Sequence, residues 1–517
     1  MQNAILKCAL VLTVGLLVTS LAGCPIGTES GDTATTTPAS PTPPSPLKAT
    51  ETLIGVPADP NEDTLKGSND CRHIMWIDDV DGKKCVVWDG VAGKQYDQIN
   101  EWLFSPDSKR MAYCATIGEK HYVVIDGVER RYYDMIDAPS LQFSADSKRF
   151  AFIAVTKKRY TVVVDGKEGK RYDQLDLSSL KFSSDSKHVA YAAKQGTECF
   201  VVTDGVESEA FASIGQGSPV FSPDSTHIAY FVPSDDMLST RLILDGAEQD
   251  SGFNITAAPV FSPNSKRIAC IVVRGDKYAT VVDDKGGPKC DAIVNGSLVF
   301  SPDSKHFSYI GEIEDKRVVV VDGTMRDAYY DAQPAVFSPD SNRHGYIAET
   351  DDSKKHLVVD GKEGGAYDDI PNWLFSPDSK HYACVAVRGG KSLVVADGVE
   401  GKEYDTIRQD SLIYSPDSQR LGYIAQTGDK VKVVVDGEEV KDCNAAYALV
   451  FSPDSKRIAY LADIKGEEYA IVVDGFQYAG TFIRNCFTAL VFDSPTKLHA
   501  MVYRETGWYL VDIEITQ

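Results

Sequence analysis

The sequence predicts an all-β protein, a β-propeller of about twelve four-stranded blades, and three observations predict it. A ten-residue word of the form FSPDSKRMAY recurs along the chain at spacings of 37 to 41 residues. A second word, Val-Val-Val-Asp-Gly and its variants, follows each copy about 22 residues on, and a Tyr-Asp word such as RYDQL follows that. The stretches between them alternate apolar and polar residues at the strand period of two and show no helical period.

The elements follow in chain order. Residues 1–23 begin with Lys7 and an apolar run from Cys8 to Ala22, too short for a mature membrane span, and read as an export signal. The run closes in Leu21-Ala22-Gly23-Cys24, which resembles the lipobox of bacterial lipoproteins. That resemblance implies a mature chain starting at Cys24, whose thiol accepts the lipid. Residues 24–50 hold Thr, Ser, Pro and Gly with almost no large apolar side chain, so they bury too little to offset the entropy of ordering and form an extended tether.

The folded part is expected over 51–517. Its repeats anchor on Phe104, Phe143, Phe182, Phe221, Phe261, Phe300, Phe337, Phe375, Tyr414 and Phe451. Degenerate copies flank these, GSNDCRHIMW from Gly67 and FDSPTKLHAM from Phe492. Within a repeat a first strand ends at Ser-Pro-Asp-Ser, where Pro fixes φ and Asp and Ser bond nearby backbone. Second and third strands follow, and an Asp-Gly turn leads into the fourth. One such sheet cannot stand with both faces wet, so the units must stack about an axis.

The repeats are similar to the WD40-like β-propellers of TolB-type periplasmic proteins and of prolyl-oligopeptidase-type enzymes, over about residues 65 to 517. Propellers usually have four to eight blades, which favours two rings of about six with a boundary near 290–300. The unbroken spacing favours one twelve-bladed ring. The last repeat ends near its third strand, and Leu53-Ile54-Gly55-Val56 precedes the first repeat where a fourth strand belongs, so the two termini are expected to share one blade.

Formal net charge is −22 with pI near 4.9 and no basic cluster, which speaks against nucleic acid and against direct contact with anionic lipid. After Cys24 the nine cysteines are scattered and odd in number, neither a disulfide framework nor a zinc ribbon, with a Cys71–Cys85 bridge left open. Five of the nine histidines, His73, His188, His227, His306 and His381, share a repeat position with Arg110, Arg149, Arg267, Arg343, Arg420 and Arg457. A metal ligand would not tolerate Arg, so the position is structural and no metal is expected. The Asp-rich turns lack the density of a calcium loop. There is no GxSxG elbow, phosphate loop or HExxH, hence no cofactor and no catalytic residue is predicted. The hydrolase domain of the oligopeptidases and the small amino-terminal domain of TolB-type proteins are also missing from the pattern.

Both repeated turns belong to one face, so the variable connections at 99–102, 136–139, 370–373, 233–240, 273–277 and 349–355 fall on the other. Trp102 and Trp373, with Glu101 and Asn372 beside them, are the candidate ligand contacts, because a Trp at a strand entry offers large rigid area. The alternative is that both plug the gap between blades. The sequence therefore predicts a binding scaffold for a protein, peptide or glycan, lipid-anchored in the cell envelope on the cytoplasmic or outer membrane. A propeller enzyme of lyase or glycosidase type would instead need carboxylates or histidines converging at the channel.

Overall fold

The computed structural model describes residues 46–57, 64–234, 239–249, 254–464, 466, 468–478, 480–483 and 490–516. The expected signal segment, Cys24 and the tether as far as residue 45 lie outside them. The chain divides into Met1–Pro44 and Ser45–Gln517, and all that follows concerns the second unit. Among the described residues no helix is long and apolar enough to cross a membrane.

Twelve antiparallel four-stranded blades form one ring, a twelve-bladed β-propeller. Ten are separate sheets, at 66–92, 98–133, 135–172, 174–207, 220–249, 254–286, 292–329, 331–363, 369–404 and 406–443, numbered here blades 1 to 10. Blade 11 (445–477) and blade 12 (482–515) join in a continuous sheet. In blades 1 to 11 the strands run in sequence order from first to fourth. Blade 3 is typical: Phe143 faces Phe150, Phe152 faces Val163, and Val163 faces Glu168.

The repeated words become the turns. In blade 2, Ser105 Oγ donates to Asp107 Oδ1 (2.6 Å) and accepts the Arg110 N–H (3.0 Å). At the other turn Asp126 and Gly127 take positive φ in succession, 52° and 73°, the backbone a tight hairpin needs. Asp126 bonds both the Met111 N–H (3.1 Å) and Arg110 Nε (2.9 Å), so the two turns do share one face.

The core lies between blades. Ala112, Cys114 and Val123 of blade 2 pack on Phe150, Phe152 and Val163 of blade 3. In most blades the Tyr of the Tyr-Asp word meets an aromatic of the next blade edge-on, as in Tyr96–Tyr113 (6.1 Å), Tyr172–Tyr191 (6.2 Å) and Tyr404–Tyr423 (6.2 Å), while Tyr367 packs with Cys384. Its Asp then ties the opposite face: Asp405 accepts Gly428 N–H (2.6 Å) of blade 10 and a Lys391 ammonium of blade 9.

A single ring overturns the two-ring preference, and one bond shows why. The N–H of the turn Asp donates to the second turn Ser of the following blade, from Asp70 to Ser108 (3.1 Å) through Asp417 to Ser455 (2.9 Å). It does not break in the middle, where Asn264 bonds Ser304 and Asp303 bonds Ser341, both at 2.9 Å. Blades 6 and 7 also share a core of Ala269, Ile271, Leu298, Tyr309 and Val320.

The ring closes between blades 12 and 1. Ile74, Trp76 and Val87 of blade 1 pack on Met501 and Trp508 of blade 12. The fourth strand of blade 12 comes from the other end of the described chain, Leu47–Gly55 against Gly507–Ile515, with Leu47 opposite Ile515 and Leu53 opposite Tyr509. The strand starts four residues before the boundary expected at 51. Cys71 and Cys85 are both free thiols, so the bridge left open by the sequence is not made. Burial pushes the thiols of Cys114, Cys270 and Cys384 up to about 12, as befits small buried hydrophobes.

Candidate functional site

The first strands form the ring's inner edge, as the reach of the bridging side chains shows. Between first strands, one short side chain spans the gap to the next blade's backbone: Gln142 Nε2 to Leu180 O (3.0 Å) and Asn372 Nδ2 to Gln409 O (2.7 Å). Between fourth strands, a Lys and a Glu must both extend to meet, as in Lys170–Glu207 (2.7 Å) and Lys402–Glu439 (2.6 Å). The blades are therefore wedges, narrow at the first strand.

This inner edge is where the repeats differ. In blades 3, 4, 7 and 10 two extra residues enter between the Tyr-Asp or Cys-Asp word and the Phe or Tyr of the first strand, and are folded out by a buried Ser. Ser140 Oγ donates to Asp137 O (2.6 Å) and accepts the Ile153 N–H (2.8 Å); Ser179, Ser297 and Ser411 repeat both bonds. Blade 5 keeps the second bond through Ser218. The loops so made carry Leu177-Ser178, Gln216-Gly217, Asn295-Gly296 and Gln409-Asp410 exposed at their tips. The extra Ser stands immediately before a Leu or Pro in the sequence.

Blades 2, 8, 9 and 11 have the shorter entry, and in blades 2 and 9 it holds the Trp candidates. Residues 98–104 and 369–375 are strand rather than loop. Trp102 and Trp373 stand where other blades place buried leucines, Leu141, Leu180, Leu298, Leu412 and Leu449. Both are half-buried. Trp102 packs with Met75, Val86 and Tyr113 under the Lys66 ammonium, 4.6 Å from the ring centre. Trp373 meets Phe375 edge-on at 5.2 Å and reaches into the space left by Gly345 of blade 8. Glu101 is exposed at φ 42° and pairs with Lys66 at 3.4 Å, while Asn372 bridges to blade 10.

The charges along the edge are few and mostly engaged. Burial raises the Asp137 carboxyl against two bonds from Ser140. Burial lowers Lys181, whose ammonium donates to the carbonyls of Gly217 and Pro219, both at 3.2 Å. Arg408 pairs with Asp410 (2.8 Å) and lies 4.4 Å over Tyr447.

Away from that edge, Asp493, His499 and Asp512 bring three ligating atoms within reach of one ion. A guanidinium already stands among them: Arg72 reaches Asp493 at 3.0 Å, Asp512 at 3.2 Å and His499 Nδ1 at 3.1 Å. Burial would raise Asp493, and the bonds from His499 and Arg72 outweigh it and hold the carboxyl low. The cluster belongs to the ring seam. An open groove of about 830 Å³ lies between blades 1 and 2, lined by Trp88, Val91, Lys109, Arg110 and Asp126.

No family model matches the chain, and no curated protein does. Among solved structures it is similar to a eukaryotic initiation factor, at 12% identity over 70% of this chain and 97% of that one, with a TM-score of 0.31. It is also similar to TolB from Acinetobacter baumannii (14% identity, 39% of this chain and 56% of that one, TM-score 0.22). A third is the β-propeller domain of the Trilobed protease from Pyrococcus furiosus (15% identity, 52% and 96%, TM-score 0.27). Likenesses this shallow transfer no activity.

Proposed function

We propose that this chain is a binding scaffold, held at a bacterial membrane by lipid on Cys24 and a Thr/Pro-rich tether, that presents the inner edge of its ring to a protein, peptide or glycan. One observation carries the reading: the repeated residues are used up in turns and joints, and the side chains that differ between blades collect along the first strands. The exposed tips there offer amides, hydroxyls and one apolar group, Gln216, Asn295, Gln409, Ser178 and Leu177, beside Glu101, Trp102, Asn372 and Trp373. Such groups recognise by hydrogen bonding and stacking on a rigid frame and need no proton transfer. Catalysis is a weaker reading, since the carboxylates near this edge are scattered among blades and bonded to their own backbone or to a neighbouring cation.

The test compares the full chain with a variant carrying Leu177→Ala, Gln216→Ala, Asn295→Ala and Gln409→Ala. Envelope components captured by the wild type are quantified on both. Loss of the same components from the variant, with unchanged thermal stability, supports inner-edge binding. Full retention sinks it. The anchor is tested separately by Cys24→Ser, which should move the protein from the membrane to the soluble envelope fraction.

A further inference from the structure

The second position after the Ser-Pro-Asp-Ser turn or its variant holds Arg in six blades and His in five, and the two leave different joints behind them. Arginine makes the same set of contacts in blade after blade. Arg110 Nε donates to Asp126 of its own blade (2.9 Å), and Nη1 donates to the carbonyls of Ser147 (2.9 Å) and Lys148 (3.0 Å) of the next. Its guanidinium lies 5.1 Å from the centre of the Phe143 ring. Arg267 repeats this on Asp283 (2.6 Å), Ser304 O (3.0 Å), Lys305 O (2.6 Å) and Phe300 (5.3 Å). Arg149, Arg343 and Arg420 do likewise. A carboxylate, a pair of carbonyls and an aromatic face make a complete seat for a planar guanidinium.

Where His stands, its Nδ1 takes the carboxylate and the side chain ends there: His188–Asp204, His227–Asp245 and His381–Asp397, each at 2.6 Å. Among the described residues no side chain then reaches the carbonyls of the next blade, Ser225 and Thr226, Ser265 and Lys266, or Ser418 and Gln419. Their platforms are Phe221, Phe261 and Tyr414. At the other two histidine joints a ring of the chain itself covers the aromatic platform. Trp88 lies edge-on to Phe104 at 5.2 Å, and His306 stacks on Phe337 at 6.5 Å.

We propose that the three open seats, at joints 4/5, 5/6 and 9/10, bind arginine side chains of a partner polypeptide. At five other joints the chain's own guanidinium takes such a pair of carbonyls and ring together with the carboxylate; at these three the carboxylate is bonded to the histidine, and the carbonyls and the ring remain for an incoming guanidinium. Its net charge of −22 draws cationic segments toward it. Two of the seats are at successive joints, which suits a segment with more than one arginine. Lysine, a point charge with no plane to stack or fork to share between two carbonyls, fits the same seat poorly. These seats are on the face of the repeated turns, so the proposal stands or falls apart from inner-edge binding.

Calorimetric titration of the full chain with an end-blocked Gly-Arg-Gly-Arg-Gly peptide, its lysine counterpart and free L-arginine tests this. The arginine peptide should bind about tenfold tighter than the lysine peptide or free arginine. The variant His188→Arg, His227→Arg, His381→Arg puts the chain's own guanidinium in each seat, as five other blades do, and should weaken the arginine peptide about tenfold or more. A charge-matched variant at exposed sites elsewhere, Gln98→Arg, Gln174→Arg, Thr406→Arg, should keep wild-type affinity. Equal affinity for arginine and lysine peptides overturns the proposal, as does equal weakening in both variants or no weakening in the seat variant. Free arginine binding as tightly as the peptide overturns the choice of a polypeptide partner.

Discussion

Replacing Arg72 with Met should open the ring at one place. The guanidinium holds together a seam in which Asp493, Asp512 and the almost fully buried His499 (2% exposed) face the first blade. Breaking a buried ion pair from one side costs about 3–5 kcal/mol, and breaking an exposed one about 0–1. Here the Arg72, Asp493 and Asp512 side chains are 34%, 36% and 45% exposed, so solvent screens much of the interaction. A loss of about 1–2 kcal/mol follows. The pH dependence has a definite sign. Asp493 is held below its ordinary range in the folded ring, so its contribution is present above that range and is lost as pH falls through the lowered value. Without Arg72, burial acts less opposed, Asp493 takes up its proton at higher pH, and the gap between wild type and variant narrows in acid. Hydrogen exchange reads the effect locally: backbone amides of 66–92 and 482–515 should exchange about tenfold faster in the variant, while those of 254–329 stay unchanged. Equal acceleration in blades 6 and 7 would refute the reasoning, for it would mean that the ring has no single seam.

Three further outcomes are expected. A Cβ on Gly345 would fall 2.7 Å from Trp373 Cη2 and 3.1 Å from Val358 O, so Gly345→Ala should cost about 1–3 kcal/mol by overpacking. Trp373→Leu should relieve it in a double-mutant cycle, and additivity in that cycle would show that the indole is not wedged between the blades. The Asp340 and Asp378 carboxyls are held down to about 2, chiefly by the hydroxyls of Ser338 and Ser376, so their share of stability is complete above the ordinary carboxylate range and lost toward pH 2. In an acid titration followed by near-UV circular dichroism, Asp378→Asn should flatten the dependence at joint 9/10. Reductant should leave the melting temperature unchanged, because Cys71 and Cys85 are unbridged, and iodoacetamide should label Cys114 and Cys384 only as the ring unfolds, which intact mass reports.

The blades, their strand order, the shared face of the two turns and the blade shared by the termini were all readable, because each is fixed by bonds a few residues apart that the repeat writes out many times. Ring number was readable too, though base rates pointed elsewhere. A ring has one seam, and two rings would need degenerate copies at two places. Only the first and last copies are degenerate, with Cys71 where the joint needs Ser and Gly67 where it needs Phe. What could not be read is which atoms fill the resulting gaps. His499 takes the place of the small residue found at Ala459 in blade 11 and reaches across the seam, with its Nε2 2.8 Å from Asp70 O. That compensation joins residues 429 positions apart, and no local pattern announces it. Trp102 and Trp373 stand two residues before the anchoring Phe, as the buried Leu141 and Leu180 do, so that equivalence was readable in the repeat, while the half-burial of each indole depends on neighbouring blades.

A Ser that accepts an N–H from the previous blade, an Asp that closes a hairpin, a Tyr that packs on the next sheet and an Asp that binds a Lys behind it leave the repeated words with almost nothing unspent. Selection for a ring alone would let every copy converge on the same side chains, since each joint poses the same mechanical problem. Two positions depart from that uniformity without loss of the fold, the first-strand tips and the second residue after the Ser-Pro-Asp-Ser turn. At the second, arginine serves the joint better than histidine by two hydrogen bonds and a stacked ring, yet histidine stands at five joints out of eleven. His188→Arg should therefore stabilise joint 4/5 by about 1 kcal/mol, two partly screened hydrogen bonds and a stack less the entropy of ordering a long side chain. If hydrogen exchange at 174–249 slows in that variant, the histidine is kept at a cost to stability, and its reason lies outside the ring's own mechanics. If exchange is unchanged, the histidine is a neutral substitute and the argument for an open seat loses its footing.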